Sequence, residues 1–203
     1  MLRAHEERHN PKSIILLKYK QEDDRLNDII EVILSNLSSN YIICLQECSS
    51  LMISKLQVIL KNHIYFKEIK NNEYLVIITD IDDMKTEYID YKDVAHGMLI
   101  ISNDKMKIVN CHLIPQRYSS KKVMDFILDL NCDKNIIIAG DFNEKYKVVQ
   151  FKLSPIFNIP YCGSTYKWKQ IDHIIYNNTY KQHITKNIKT NMSDHNMICV
   201  ELS

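Results

Sequence analysis

Residues that break regular structure are scarce: the 203-residue chain carries only 3 glycines and 4 prolines. That scarcity excludes collagen-like and Pro/Gly-rich low-complexity architectures. No apolar run approaches the roughly 20 residues that a membrane-crossing helix requires. Net charge is also missing, at +1. A balance so close to neutral supplies no global attraction for nucleic acid or membrane surfaces, so any polyanion must be met by a local cluster of Lys and Arg. Close cysteine pairs are absent as well. Cys44, Cys48, Cys111, Cys132, Cys162 and Cys199 form no CxxC, and Cys44, Cys111 and Cys199 lie inside apolar runs, as small buried hydrophobes do. Six cysteines would allow three disulfides in a secreted protein, but residues 1–12 are charged and carry no apolar stretch. The expectation is six free thiols in an intracellular (cytoplasmic or nuclear) monomer without membrane insertion.

What is present is a hydrophobic fraction of 45%, enough for the core of a single domain and too much for a disordered chain. Residues 1–12 are polar and expected to be flexible; 13–203 are expected to form one domain. The apolar run Ile14-Ile15-Leu16-Leu17 predicts a buried strand. Leu26, Ile29, Ile30, Ile33 and Leu37 recur at helical spacing, with Asp23 or Asp24 as the cap. A strand follows over 41–46, then a helix from Ser49 to Leu60. Between 64 and 101 short β-branched and aromatic runs separated by Asn71-Asn72 and Asp82-Asp83 predict an antiparallel meander. Strands over 107–112, 135–139, 172–176 and 196–202 and a helix over 119–130 complete a mixed α/β chain. So many apolar strands need two packed sheets flanked by helices.

Several of these strands end in a polar residue. Ile42-Ile43-Cys44-Leu45-Gln46 runs into Glu47, and Ile108-Val109-Asn110-Cys111 into His112. Ile136-Ile137-Ile138-Ala139-Gly140 runs into Asp141, with Asn143 two residues on. Asp172 interrupts an apolar segment, and Ser193-Asp194-His195 precedes the last strand. A single carboxylate at a strand end is ordinarily solvated, and Gly140-Asp141 alone reads equally as a turn. Five such endings in one chain predict side chains held on a rigid scaffold around one site. His173 neighbours Asp172 on a strand and so points to the opposite face, which predicts a structural role.

The succession Leu45-Gln46-Glu47, Asn110-Cys111-His112-Leu113, Gly140-Asp141-Phe142-Asn143, Ile171-Asp172-His173-Ile174 and Ser193-Asp194-His195 resembles the endonuclease/exonuclease/phosphatase superfamily, over residues 13–203. Thr165, shortly before the Asp172 strand, fits the same pattern. The resemblance implies a four-layer α/β/β/α sandwich of two mixed sheets flanked by helices, and metal-dependent hydrolysis of a phosphoric ester. It implies Glu47 and Asp194 as metal ligands or close to the metal, with Mg²⁺ suited to carboxylates and water and Mn²⁺ as its substitute. Asp172 would hold His195, and His195 would contact the scissile phosphate or activate water. Asp141 would orient or deprotonate the attacking water, and His112 and Asn143 would donate to phosphate oxygens.

The chain departs from the family where its members carry an Asn at the end of the first strand: here stand Lys18-Tyr19-Lys20-Gln21. Lys20 is the candidate substitute, binding phosphate directly. Arg25 is expected to buttress the same loop. With Lys20, Arg117 and Trp168 as substrate-binding candidates, a nucleic-acid phosphodiester, or a phosphodiester end linked to another group, is the expected substrate and partner. A lipid or small-molecule phosphate, and a catalytically weakened binding module, stay open as alternatives.

Overall fold

The computed structural model describes residues 22–60, 63–70, 72–90, 95–114, 119–130, 134–177 and 179–203. The expected first strand, Lys20 and Arg117 lie outside them. Along the chain stand α1 (Glu22–Ser35), β1 (Ile42–Cys48), α2 (Ser50–Ile59), β2 (His63–Lys70), β3 (Glu73–Thr79), β4 (Lys85–Ile89), β5 (Ala95–Ser102), β6 (Met106–Leu113) and α3 (Ser119–Asp129). There follow β7 (Asn135–Asp141), α4 (Tyr146–Leu153), β8 (Phe157–Asn158), β9 (Asp172–Asn177), β10 (Gln182–Ile188) and β11 (Met197–Leu202).

Ser49 caps α2, accepting from Met52 N at 3.2 Å. Asp23 and Asp24 are not caps. The helix already includes Glu22, which places both in its first turn, where the helix dipole favours carboxylates.

Among the described residues the strands form one sheet ordered β1-β3-β2, one ordered β4-β5-β6-β7-β9-β8, and a β10-β11 ribbon. The six-stranded sheet is mixed: β6 and β7 run parallel, and the remaining neighbours antiparallel. The meander expected over 64–101 is corrected here. Its hairpins form, but β2-β3 belongs to one sheet and β4-β5 to the other, so the chain changes sheet after Thr79.

Strand alternation then builds three cores. Val76 and Ile78 of β3 join Leu26, Ile30, Met52 and Leu56 of α1 and α2. Leu75 and Ile77, the alternate set, face Leu99, Ile101 and Ile108 of the second sheet. Met98, Ile100, Val109, Ile138 and Ile175 cover the far side with Ile127 of α3 and Val149 of α4. Helix, sheet, sheet, helix is the resulting order, an α/β sandwich. Among the described residues no helix is long and apolar enough to cross a membrane.

Candidate active site

The six-stranded sheet sets three site residues in one row. Register pairs His112 of β6 with Asp141 of β7, and Asp141 with Asp172 of β9. Gly140 makes that row possible. Its φ is +149°, and a Cβ there would lie 1.9 Å from the Cys111 carbonyl oxygen of the neighbouring strand, so only glycine fits. Asn143 takes φ +50°, a left-handed conformation that Asn tolerates better than most residues. Its backbone N–H donates to Asp141 Oδ1 at 2.7 Å, and its amide donates to Leu113 O at 2.8 Å and Asp141 Oδ2 at 3.2 Å. Asn143 thus fixes the Asp141 carboxylate.

Glu47 reaches the row from the other sheet through an irregularity. In β1, Ile42 and Cys44 pack between the sheets, while Ile43 and Leu45 pack toward the helices. Alternation would send Glu47 to the helix side as well. Between Leu45 and Cys48 the pairing with β3 shifts register, and Glu47 adopts φ +53°. Bulges redirect side chains in this way. Glu47 Oε1 lies 3.8 Å from His112 Nε2, which is 3.9 Å from Asp141 Oδ2.

His195 arrives on the segment before β11. Its Nδ1 donates to Asp172, at 2.9 Å to Oδ2 and 3.1 Å to Oδ1. Thr165 Oγ1 accepts from the backbone N–H groups of Ile171 and Asp172, both at 3.1 Å, and Thr165 O accepts from Asn196 N at 2.8 Å. One residue therefore anchors both partners of the pair. Tyr166 forms a β-bridge with His195, their ring centroids 4.8 Å apart. Buried Arg25 donates to Met192 O at 2.8 Å while paired with Glu22, so within the described residues it braces the segment leading to His195.

Burial pushes the Asp141 carboxyl up to about 7, helped by the charges of Asp172 and Glu47 and opposed by His195 and the Asn143 N–H. Burial alone would lower His195, but the bond to Asp172 and the charges of Asp172, Asp141 and Asp194 outweigh it and raise the imidazole to about 9. Burial and the nearby Glu47 charge push Glu73 up to about 7, against Lys70. At neutral pH the site thus holds a cationic His195 bonded to Asp172, with Asp141 and Glu73 near half-protonation. Ligand atoms of Asp141, Asp172 and His195 lie within 4.8 Å of one another. A protonated imidazole bonded to Asp172 is an ion-pair partner rather than a cation ligand. Glu47 and Asp141, hard oxygen donors on the other flank, are the pair that fits a divalent cation. Asp194 is exposed.

Trp168 stands 77% exposed in the tight turn between Tyr166 and Lys169, with Lys167 Nζ 4.9 Å from the Tyr166 ring centroid. This turn forms the rim beside His195. His173 lies on the opposite face of β9 from Asp172, fully buried, donating from Nε2 to Glu144 O at 2.9 Å and meeting Gln170 Nε2 at 3.4 Å. Cys44, Cys48, Cys111, Cys162 and Cys199 are free; burial pushes Cys44 and Cys48 up to about 12, which leaves them inert. Cys132 lies outside the described residues. Sequence reasoning quoted Gln46 and Asn110 without giving either a task, and missed Gln170 and the Tyr166 contact. Nothing in local composition distinguishes these residues, because most of their partners are 8 to 65 positions away.

The endonuclease/exonuclease/phosphatase family matches residues 16–195. No curated protein matches the chain. Similar solved structures include humanized D. rerio TDP2, at 16% identity and a TM-score of 0.69, covering 89% of this chain and 92% of that one. A conserved protein of unknown function from Enterococcus faecalis aligns at 16% identity and a TM-score of 0.71, covering 90% and 92%. A mannosyl-6-phosphatase from Bacteroides thetaiotaomicron aligns at 14% identity and 0.65, covering 89% and 91%. At such identities the likeness is one of fold.

Proposed function

The chain belongs to the endonuclease/exonuclease/phosphatase family, and on that premise we propose that it is a Mg²⁺-dependent phosphodiesterase acting on nucleic acid or on a nucleic-acid end linked to another group. The observation that carries the reading is the Asp172–His195 pair beside Asp141, with the Asp141 carboxyl raised to about 7 and the His195 imidazole to about 9. Between those values Asp141 is ionised while His195 keeps its proton, which suits the first as base and the second as cationic donor. Asp141, held by Asn143, takes the proton of the attacking water. His195, held cationic by Asp172, donates to the scissile phosphate as charge grows on its oxygens. His112 donates to the same phosphoryl group, and Asn143 can do so on releasing one of its two acceptors. Glu47, with Asp141 and Asp194 nearest in role, would hold the divalent cation, which when bound neutralises phosphoryl charge.

The choice of nucleic acid is supported by the rim. An exposed Trp168 flanked by Lys167 and Lys169 offers a face for base stacking and charge for a backbone. A small sugar phosphate, the substrate class in the name of the Bacteroides relative, needs neither. With Mg²⁺ present, the chain is expected to cleave a single-stranded oligonucleotide, or one carrying a 5′-phosphotyrosyl group, in preference to mannose 6-phosphate. Trp168→Ala should raise KM for the oligonucleotide more than it lowers kcat. Preference for mannose 6-phosphate, or indifference to Trp168→Ala, would contradict the nucleic-acid reading.

A further inference from the structure

We propose that Asn110, acting with Gln46, is the positioning residue that aims Glu47 into the site; this rests on the reading of Glu47 as a metal ligand given above. Asn110 lies on β6 with no exposed surface, two residues before His112. It shares the alternation of Ile108, so its side chain enters the gap between the sheets. There its Nδ2 donates to Leu45 O at 2.8 Å and to Val76 O at 2.9 Å, and its Oδ1 accepts from Gln46 Nε2 at 2.6 Å. All three bonds cross to the opposite sheet.

Their location is what gives Asn110 a task. Leu45 and Val76 are register partners, and theirs is the last regular pairing of β1 with β3; the next pair is Cys48 with Tyr74. The clamp therefore grips the rung from which the bulge departs, one residue before Gln46 and two before Glu47. The bulge leaves Glu47 at φ +53°. A non-glycine residue keeps such a conformation only where its surroundings over-determine it. A buried amide set among Leu75, Ile77 and Leu99 is a poor choice for packing alone, because each of its polar atoms must be satisfied. Here every bond is satisfied by the strand that carries Glu47 or by that strand's partner. Asn110 also stands on the strand that carries His112, so one side chain sets the separation of Glu47 from His112 across the two sheets.

The test is direct titration of the full chain with Mn²⁺ as the probe, the free ion being followed by electron paramagnetic resonance. Asn110→Leu keeps the branched shape and heavy-atom count, at a larger volume, and removes the clamp. It should weaken Mn²⁺ binding by about tenfold or more, the range seen when outer partners of metal ligands are removed. The double variant Asn110→Leu/Glu47→Gln should bind no worse than Glu47→Gln alone, because both act through one carboxylate. Ile77→Ala, a cavity in the same layer that touches no bond of the clamp, should lower stability while leaving Mn²⁺ affinity within about twofold of wild type. If Asn110→Leu does not fold by circular dichroism, Gln46→Met, which removes only the 2.6 Å bond, carries the same comparison. Wild-type Mn²⁺ affinity in the clamp variant while Glu47→Gln loses it overturns this proposal alone, as does an equal loss in Ile77→Ala. Wild-type affinity in Glu47→Gln overturns the metal reading of Glu47, and the proposal with it.

Discussion

Asp172 holds the His195 imidazole through both carboxylate oxygens, at 2.9 and 3.1 Å from Nδ1. That contact fixes the ring's orientation, leaves the Nε2–H for a substrate, and keeps the ring charged. Asp172→Asn preserves the shape and removes the charge. The imidazole, raised to about 9 in the wild type, should titrate nearer the ordinary histidine range, as NMR of the ring protons will show. Turnover should fall by about 10²- to 10⁴-fold, the usual worth of a positioned proton-transfer group. A variant that keeps wild-type turnover while His195→Ala abolishes it would separate the two residues.

The pH–rate profile should be a bell. Asp141 must lose its proton to act as a base, so the rate rises with pH on the acid side, about 7 being the value of the carboxyl without a cation. His195 must keep its proton to donate, so the rate falls as pH passes about 9. A bound cation beside Asp141 stabilises the carboxylate and moves the acid limb down. Asp141→Asn should abolish that limb along with most of the activity.

Gly140→Ala should destabilise the fold by about 2 kcal/mol or more, because the methyl group meets a backbone oxygen rather than a flexible side chain. Chemical denaturation will measure it. An alanine variant of wild-type stability would mean that β6 and β7 separate more easily than their pairing implies.

His173 gives an acid-side stability term. Burial lowers its pKa from the ordinary value, against the Glu144 carbonyl and the Asp172 charge. The fold therefore favours the neutral ring, and its contribution is complete above about pH 6.5 and lost as pH falls below that value. His173→Gln should flatten the fall of Tm between pH 7 and 5. An unchanged slope would assign the acid sensitivity to other groups.

The strands that bear the site were legible because each is a buried apolar run with an abrupt polar end: β1 before Glu47, β6 before His112, β7 before Asp141. The bulge at Glu47 was not, since no glycine marks it and its cause is Asn110, 63 residues on. Hairpins β2-β3 and β4-β5 read as a single meander because pairing within a hairpin is local, while the choice of sheet is made by packing. The α4 helix went unseen: Val148, Val149, Phe151 and Leu153 follow neither period cleanly, and Phe151 is 85% exposed. β10 went unseen because it is mostly exposed and polar. Lys20 and Arg117, the basic candidates for substrate contact, remain proposals resting on the sequence.

The most direct measurement is the rate of bis(p-nitrophenyl) phosphate hydrolysis with Mg²⁺, after chelation, and after the metal is restored, with circular dichroism at each stage. A site of one or two carboxylates completed by water binds Mg²⁺ loosely and contributes little to folding. Hydrolysis should vanish in chelator, return with Mg²⁺ or Mn²⁺, and be absent in His195→Ala, while the spectrum stays constant. Full hydrolysis in chelator, or none with either metal, would contradict a metal-dependent phosphodiesterase.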